Sequence, residues 1–203
     1  MTIRLLLADD QHLIRAGLAA LLNLEDDLEV VHQLPDGTGV VEAVREHRVE
    51  VAVLDIEMPE IDGITATQHI TDAFGTEVAV LILTTFGRAG YLQRAMAAGA
   101  SGFMVKDAPA DQLAEAIRTV HSGGKAVDPT LAAEALSTGA NPLTDREREV
   151  LQAALSGASV KAIAARVQLS AGTVRNHLSS AIGKTQTSNR SEAARTAQLN
   201  GWL

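Results

Sequence analysis

Up to about residue 122 the chain moves between two hydrophobic rhythms. Short apolar runs at Ile3–Ala8, Leu28–His32, Val51–Leu54, Val78–Leu83 and Gly102–Val105 read as strands, the most apolar of them buried on both faces. Between them, apolar residues at helical spacing predict helices over His12–Leu22, Gly39–Glu46, Ile64–Phe74, Tyr91–Ala98 and Asp111–His121. In the first of these, Leu13, Leu18, Ala19, Leu21 and Leu22 favour one face. Five successive βα units predict an α/β fold, a five-stranded doubly wound parallel sheet with helices on both faces and right-handed crossovers. Gly123-Gly124 ends the last helix. Asp128-Pro129 opens a short helix over Thr130–Leu136, and the small residues of Ser137–Pro142 form a linker.

Beyond the linker no strand pattern recurs. Thr144-Asp145-Arg146-Glu147 has the form of a capping box, in which the Thr hydroxyl and Glu carboxylate exchange bonds with each other's backbone N–H. The helix it starts runs to about Leu155, with Val150, Leu151, Ala154 and Leu155 inward. A second covers Val160–Val167, a third starts at Ala171 after the cap Ser170 and runs to about Gly183, and Ser191 caps a fourth that runs to about Leu199. The second and third have helix-turn-helix spacing, so the start of the third would read base edges in a major groove. There Arg175 suits guanine or a phosphate, and Asn176 suits adenine.

Charge separates the two parts. Residues 1–140 carry 21 acidic and 9 basic side chains, while residues 141–203 carry 4 acidic and 8 basic. That asymmetry gives the C-terminal part an anionic partner. The absence of cysteine excludes a disulfide scaffold and a thiolate zinc site, and it suits a cytoplasmic protein. His177 has no second His or Cys close enough in sequence to build a metal site. No apolar stretch approaches the roughly 20 residues of a membrane span, so membrane insertion is not expected.

The chemistry gathers where the strands end. Asp9 and Asp10 follow the first strand and Asp55 follows the third, where open α/β sheets place their sites. Three converging carboxylates repel one another and call for a positive partner. Hard oxygen donors suit Mg²⁺. Thr84 and Lys106 follow two further strands and would face the same edge. Each residue alone has an ordinary explanation as a turn or surface residue. Together they fit phosphoryl transfer to Asp55, with Lys106 and a metal neutralising phosphoryl oxygens and Thr84 donating to one of them.

Ala8-Asp9-Asp10, Leu54-Asp55-Ile56-Glu57-Met58-Pro59, Leu83-Thr84-Thr85 and Phe103-Met104-Val105-Lys106-Asp107 resemble the motifs of a response-regulator receiver domain. The resemblance implies a flavodoxin-like fold, Asp55 as phosphoacceptor, and a metal pocket of Asp9, Asp10, Asp55 and the backbone carbonyl of Glu57. It also implies Lys106 as the phosphate's partner and Thr84 with Phe103 as a switch pair. Leu143–Leu151, Ile163-Ala164, Thr173-Val174-Arg175-Asn176-His177 and Asn189–Ala193 resemble a LuxR-type DNA-binding domain. The expected DNA contacts are Thr173, Val174, Arg175, Asn176, His177, Ser179 and Lys184. The chain departs from that family at Lys184-Thr185-Gln186, where a Lys-Leu-Gly-like stretch is common, and at Ser179, where some members carry a basic residue.

The two resemblances together match the NarL/FixJ arrangement of response regulators. They imply a receiver over 1–122, a linker over 123–142 with its short helix, and a DNA-binding domain over 143–203. A sensor histidine kinase would phosphorylate Asp55, and a homodimer would then bind promoter DNA. Leu21–Asp27 and Leu83–Phe86 look most similar to regulators of fatty-acid desaturation, which implies lipid-desaturation genes as targets. One alternative is an enzyme, a phosphotransferase or phosphatase working through an aspartyl-phosphate, which a turnover assay on phosphate esters separates. The other is a DNA-binding protein whose receiver serves only as a fixed dimerisation module, which detection of an acid-labile phosphoryl adduct separates.

Overall fold

The computed structural model describes residues 2–85, 87, 89–129, 131–133 and 141–203. Most of the helix expected over Thr130–Leu136, most of the linker Ser137–Pro142, and Phe86 lie outside them. The chain forms two compact units.

The first is built on a parallel sheet of β1 (Ile3–Ala8), β2 (Leu28–Leu34), β3 (Val51–Leu54), β4 (Ala79–Thr84), β5 (Gly102–Val105) and β6 (Ala126–Val127), in the order β2-β1-β3-β4-β5-β6. The central strand β3 is buried along its whole length, which explains its unbroken apolar run. The interleaved helices are α1 (His12–Leu22), α2 (Val40–His47), α3 (Gly63–Phe74), α4 (Ala89–Ala97) and α5 (Ala110–His121). The sheet has six strands, not the expected five. β6 comprises only two residues, too few to show an apolar period, and it lies inside the stretch read as linker. Several boundaries shift by a residue or two; β2 runs on to Leu34 and β4 ends on Thr84.

The core facing α1 and α5 is made by Leu5, Leu7, Val51, Val53 and Leu81 of the sheet with Leu22, Leu113, Ile117 and Val120 of the helices. The α1 pattern misleads in part. Ala19 and Leu22 are buried, but Leu13 is 82% and Leu21 48% exposed. Helical spacing of apolar residues shows that a face exists, not which neighbour covers it.

The second unit is helical: α6 (Asp145–Ala154), α7 (Val160–Arg166), α8 (Ala171–Thr185) and α9 (Arg190–Leu199). Val150, Leu151, Ile163, Val174, Leu178, Ala181, Ala193, Ala197 and Trp202 form its separate core. The capping box of Thr144 and Glu147 is present in both directions, and Ser170 caps α8 as expected. The cap of α9 is Asn189, whose side chain accepts from Ser191 and Glu192 N–H, rather than the expected Ser191. Leu155, expected inward, is 36% exposed.

Gly63 fixes how α3 meets β3. Asp62 caps the helix by accepting from Thr65 N–H, and Gly63 N–H donates to Ile56 O at 3.1 Å. A methyl group on Gly63 would lie 1.9 Å from the backbone oxygen of Asp55. Only glycine allows this approach. Gly63→Ala should therefore destabilise the first unit by about 1–3 kcal/mol or more. Urea denaturation followed by circular dichroism checks it; a midpoint equal to wild type would show that the loop yields freely.

Candidate functional site

Parallel pairing brings the strand ends together. Ala8 pairs with Leu54, so Asp9 and Asp55 leave adjacent strands at one level, and Asp55 N–H donates to Ala8 O at 2.8 Å. Thr84 pairs with Val105, and Lys106 N–H donates to Thr84 O at 2.8 Å. Asp9, Asp55 and Thr84 are buried, whereas Asp10 is exposed. The carboxylates of Asp9, Asp10 and Asp55 place ligand atoms within 4.8 Å of one another. Two like charges at that distance repel by roughly 3–4 kcal/mol at an effective dielectric of about 20.

The Lys106 ammonium relieves this. Its Nζ lies 2.7 Å from Asp9 Oδ2 and 3.0 Å from Asp55 Oδ2. Burial pulls the ammonium down, but the two carboxylates outweigh it and hold Lys106 above the ordinary lysine value. Burial pushes the Asp55 carboxyl up; Lys106 opposes the rise and Asp9 adds to it. Ile56 N–H donates to Asp55 Oδ1 at 2.8 Å, which leaves Oδ2 on the side of Lys106. The three carboxylates are hard oxygen donors converging on one point, and they fit Mg²⁺. Glu57 is exposed, and Phe103 is fully buried in β5, next to the strand that ends in Thr84.

One supporting residue escaped the sequence reading. Arg15, on α1, donates through NH1 to the backbone carbonyl of Asp9. It holds the turn that presents Asp9 and Asp10. An arginine one helical turn into a helix carries no signal of this kind until the turn is folded back upon it.

In the helical unit α8 presents Arg175, Asn176 and Ser179 to solvent, with His177 half-buried. Thr173 is half-buried, and its hydroxyl lies 2.8 Å from Ser170 Oγ at the helix start. One expected DNA contact, Val174, is corrected, and a second, Lys184, is exposed but also has a partner within the protein. Val174 is fully buried in the core, since the position before Arg175 faces α6 and α7. Lys184 is turned to Glu147, its Nζ 2.7 Å from Oε2. Glu147 also accepts from Ser180 Oγ at 2.6 Å and Thr144 N–H at 2.7 Å. Despite its burial, these donors lower the Glu147 carboxyl from 4.5 to about 2. The capping box was legible in sequence, but not this second use of its glutamate.

The family pattern of the response regulator receiver domain matches residues 5–118, and that of the luxR family of bacterial regulatory proteins matches residues 141–197. Transcriptional regulatory protein DesR of Bacillus subtilis (strain 168) is 42% identical over 201 residues, 99% of each chain. Transcriptional regulatory protein UhpA of Escherichia coli (strain K12) is 35% identical over 97% of each. Among solved structures, response regulator ChrA of a heme-sensing two-component system superposes with a TM-score of 0.60 at 34% identity, covering 100% of this chain and 99% of ChrA. An RcsB–DNA complex gives 0.68 at 21% identity over 98% of each chain, which speaks for the fold alone.

The two special carboxylates make opposite stability predictions. Asp55 has a raised folded value, so its penalty is absent below the unfolded value of 3.8 and grows as pH rises through the folded one. Asp55→Asn should remove it and melt at or above wild type at pH 7; a lower Tm would contradict the buried-charge account. Glu147 has a depressed value, so its contribution is complete above 4.5 and lost as pH falls toward about 2. Glu147→Gln should cost the helical unit about 1–3 kcal/mol at pH 7, held below the full shift because Lys184 is partly solvated. Chemical denaturation across pH 2–7 checks it; an unchanged acid limb would refute it.

Proposed function

From the premise that the chain belongs to the response regulators of two-component systems, joining a receiver domain to a LuxR-type DNA-binding domain, we propose that Asp55 is its phosphoacceptor and α8 its DNA-reading helix. The observation that carries the first half is the Lys106 ammonium held between Asp9 and Asp55 at the carboxyl edge of the sheet. The chain is a transcriptional regulator; its donor is a sensor histidine kinase and its target promoter DNA.

In the transfer, Asp55 Oδ attacks phosphorus, an acyl-phosphate bond forms, and the P–N bond of the donor phosphohistidine breaks. The leaving imidazole takes its proton from solvent. The raised Asp55 carboxyl and its pairing with Lys106 keep the nucleophile poised rather than fully solvated. Lys106 then follows the new phosphoryl oxygens with its charge, while Thr84 donates its hydroxyl to one of them. Asp9, Asp10, Asp55 and the Glu57 carbonyl would hold Mg²⁺, which when bound supplies charge neutralisation of the transferring group. Phe103 repacks behind Thr84 as the switch partner.

Phosphorylation adds negative charge to an already acidic unit, so attraction to DNA does not increase; the signal travels as a change of shape. The altered face around α4 and α5 favours a homodimer, and two tails then meet two half-sites with the advantage of effective concentration. Arg175, Asn176 and Ser179 contact the DNA. The protein works in the cytoplasm; among the described residues no helix is long and apolar enough to cross a membrane. Lipid-desaturation genes are the proposed targets, on the resemblance of Leu21–Asp27 and Leu83–Phe86. Genomic fragments selected by the phosphorylated protein test that, and recovery of unrelated promoters alone would remove it.

Asp55→Asn should abolish labelling by a small acyl-phosphate donor with Mg²⁺, since it keeps the shape and removes the nucleophile. Undiminished labelling would refute the assignment. Arg175→Ala should weaken binding to a selected fragment by about 1–3 kcal/mol if the contact is bidentate to a base, and binding should fall as salt rises. Sedimentation with and without the donor should show more dimer after labelling. Labelled protein that stays monomeric and gains equally on one and two half-sites would sink the dimer route.

A further inference from the structure

After α5 the chain does not leave the sheet. Ala126 pairs with Gly102 and Val127 with Phe103, so the segment following the receiver's last helix lies directly against the proposed switch residue. Asp128 then caps a short helical segment, described at Pro129 and Leu131–Ala133. Its Oδ1 accepts from Leu131 N–H at 3.2 Å, and its carbonyl from Ala132 N–H at 2.9 Å. The segment carries Leu131 inward, to 9% exposure.

The seat of Leu131 is Gly87. A methyl group on Gly87 would lie 2.3 Å from Leu131 Cδ2 and 3.1 Å from Val105 Cγ1. A side chain at this position would have to push the methyl ends of Leu131 aside. Gly87 stands three residues beyond Thr84, and Val105 is the ladder partner of Thr84 and the neighbour of Lys106. The segment that leads to the tail therefore touches both proposed switch elements, through β6 against Phe103 and through Leu131 against Gly87.

We infer that Leu131 is the relay by which the state of Asp55 reaches the DNA-binding unit. The inference rests on the reading in which phosphorylation draws Thr84 toward Asp55. A Thr84 shift pulls on the backbone at Gly87, and close-packed atoms cannot slide through one another. The shift either carries Leu131 with it or unseats it. An unseated Leu131 frees the helical segment that Asp128 starts. Freeing that segment changes the effective concentration at which the two tails of a receiver dimer reach their half-sites. In the unphosphorylated protein Leu131 stays seated against Gly87.

The test uses full-length protein, acetyl phosphate with Mg²⁺, and a two-half-site fragment selected by the wild type. Wild type should bind 5- to 150-fold more tightly when labelled, the usual range of allosteric coupling. Leu131→Ala should accept label at the wild-type level yet show a ratio well below the wild type's, because its unlabelled form is already released and only the gain from dimerisation remains. Leu131→Met, which conserves volume, should keep the wild-type ratio. A Leu131→Ala protein with the wild-type ratio overturns the relay and leaves the Asp55 reading intact; a wild type that takes no label sinks that reading and the relay with it. Hydrogen exchange on wild type does not depend on the variant folding. Labelling should speed exchange of the Leu131 and Ala132 amides about tenfold while leaving those of β1 unchanged, and unaltered exchange at Leu131 and Ala132 overturns the proposal.

Discussion

Negative charge converging at one edge of a parallel sheet is the constraint around which the first unit is arranged. The order β2-β1-β3-β4-β5 sets β1 beside β3, so Asp9, Asp10 and Asp55 must face one another. The same order sets β5 within reach across β4, so Lys106 can put its ammonium between Asp9 and Asp55. Without a cation the burial of Asp9 and Asp55 would be untenable. With one, the carboxylates are held close and the Asp55 carboxyl remains unsettled, its value pushed up by burial. A site in that condition gains from any incoming group that rearranges its charges.

Glu147 shows what a buried carboxylate looks like when nothing is asked of it but stability. Thr144, Ser180 and Lys184 supply its donors, and its carboxyl falls to about 2. It binds the start of α6 to the later turns of α8 and leaves Arg175, Asn176 and Ser179 on the exposed side. Asp55 and Glu147 are both almost fully buried, yet their values move in opposite directions. The difference is the number and kind of donors around each oxygen.

The region between the units is less of a spacer than its composition suggests. β6 is part of the sheet, and in the helical segment after it Leu131 is packed rather than solvated. Ala126-Val127 forms a strand and Leu131 is buried, although the composition of 123–142 reads as a spacer.

The sequence alone determined the alternation of strands and helices, the helical tail, its capping box, and the strand-end residues Asp9, Asp10, Asp55, Thr84 and Lys106, because these follow from local period and from what terminates each run. It did not determine β6, since two residues carry no period. Nor did it show which side of α1 is covered, leaving Leu13 in solvent, or that Val174 belongs to the core and Lys184 to Glu147. The clasp of Arg15 on Asp9 and the seat of Leu131 on Gly87 were equally hidden. Each of these depends on a partner distant in sequence or on which face of an element its neighbours leave open, and only the packed chain specifies that.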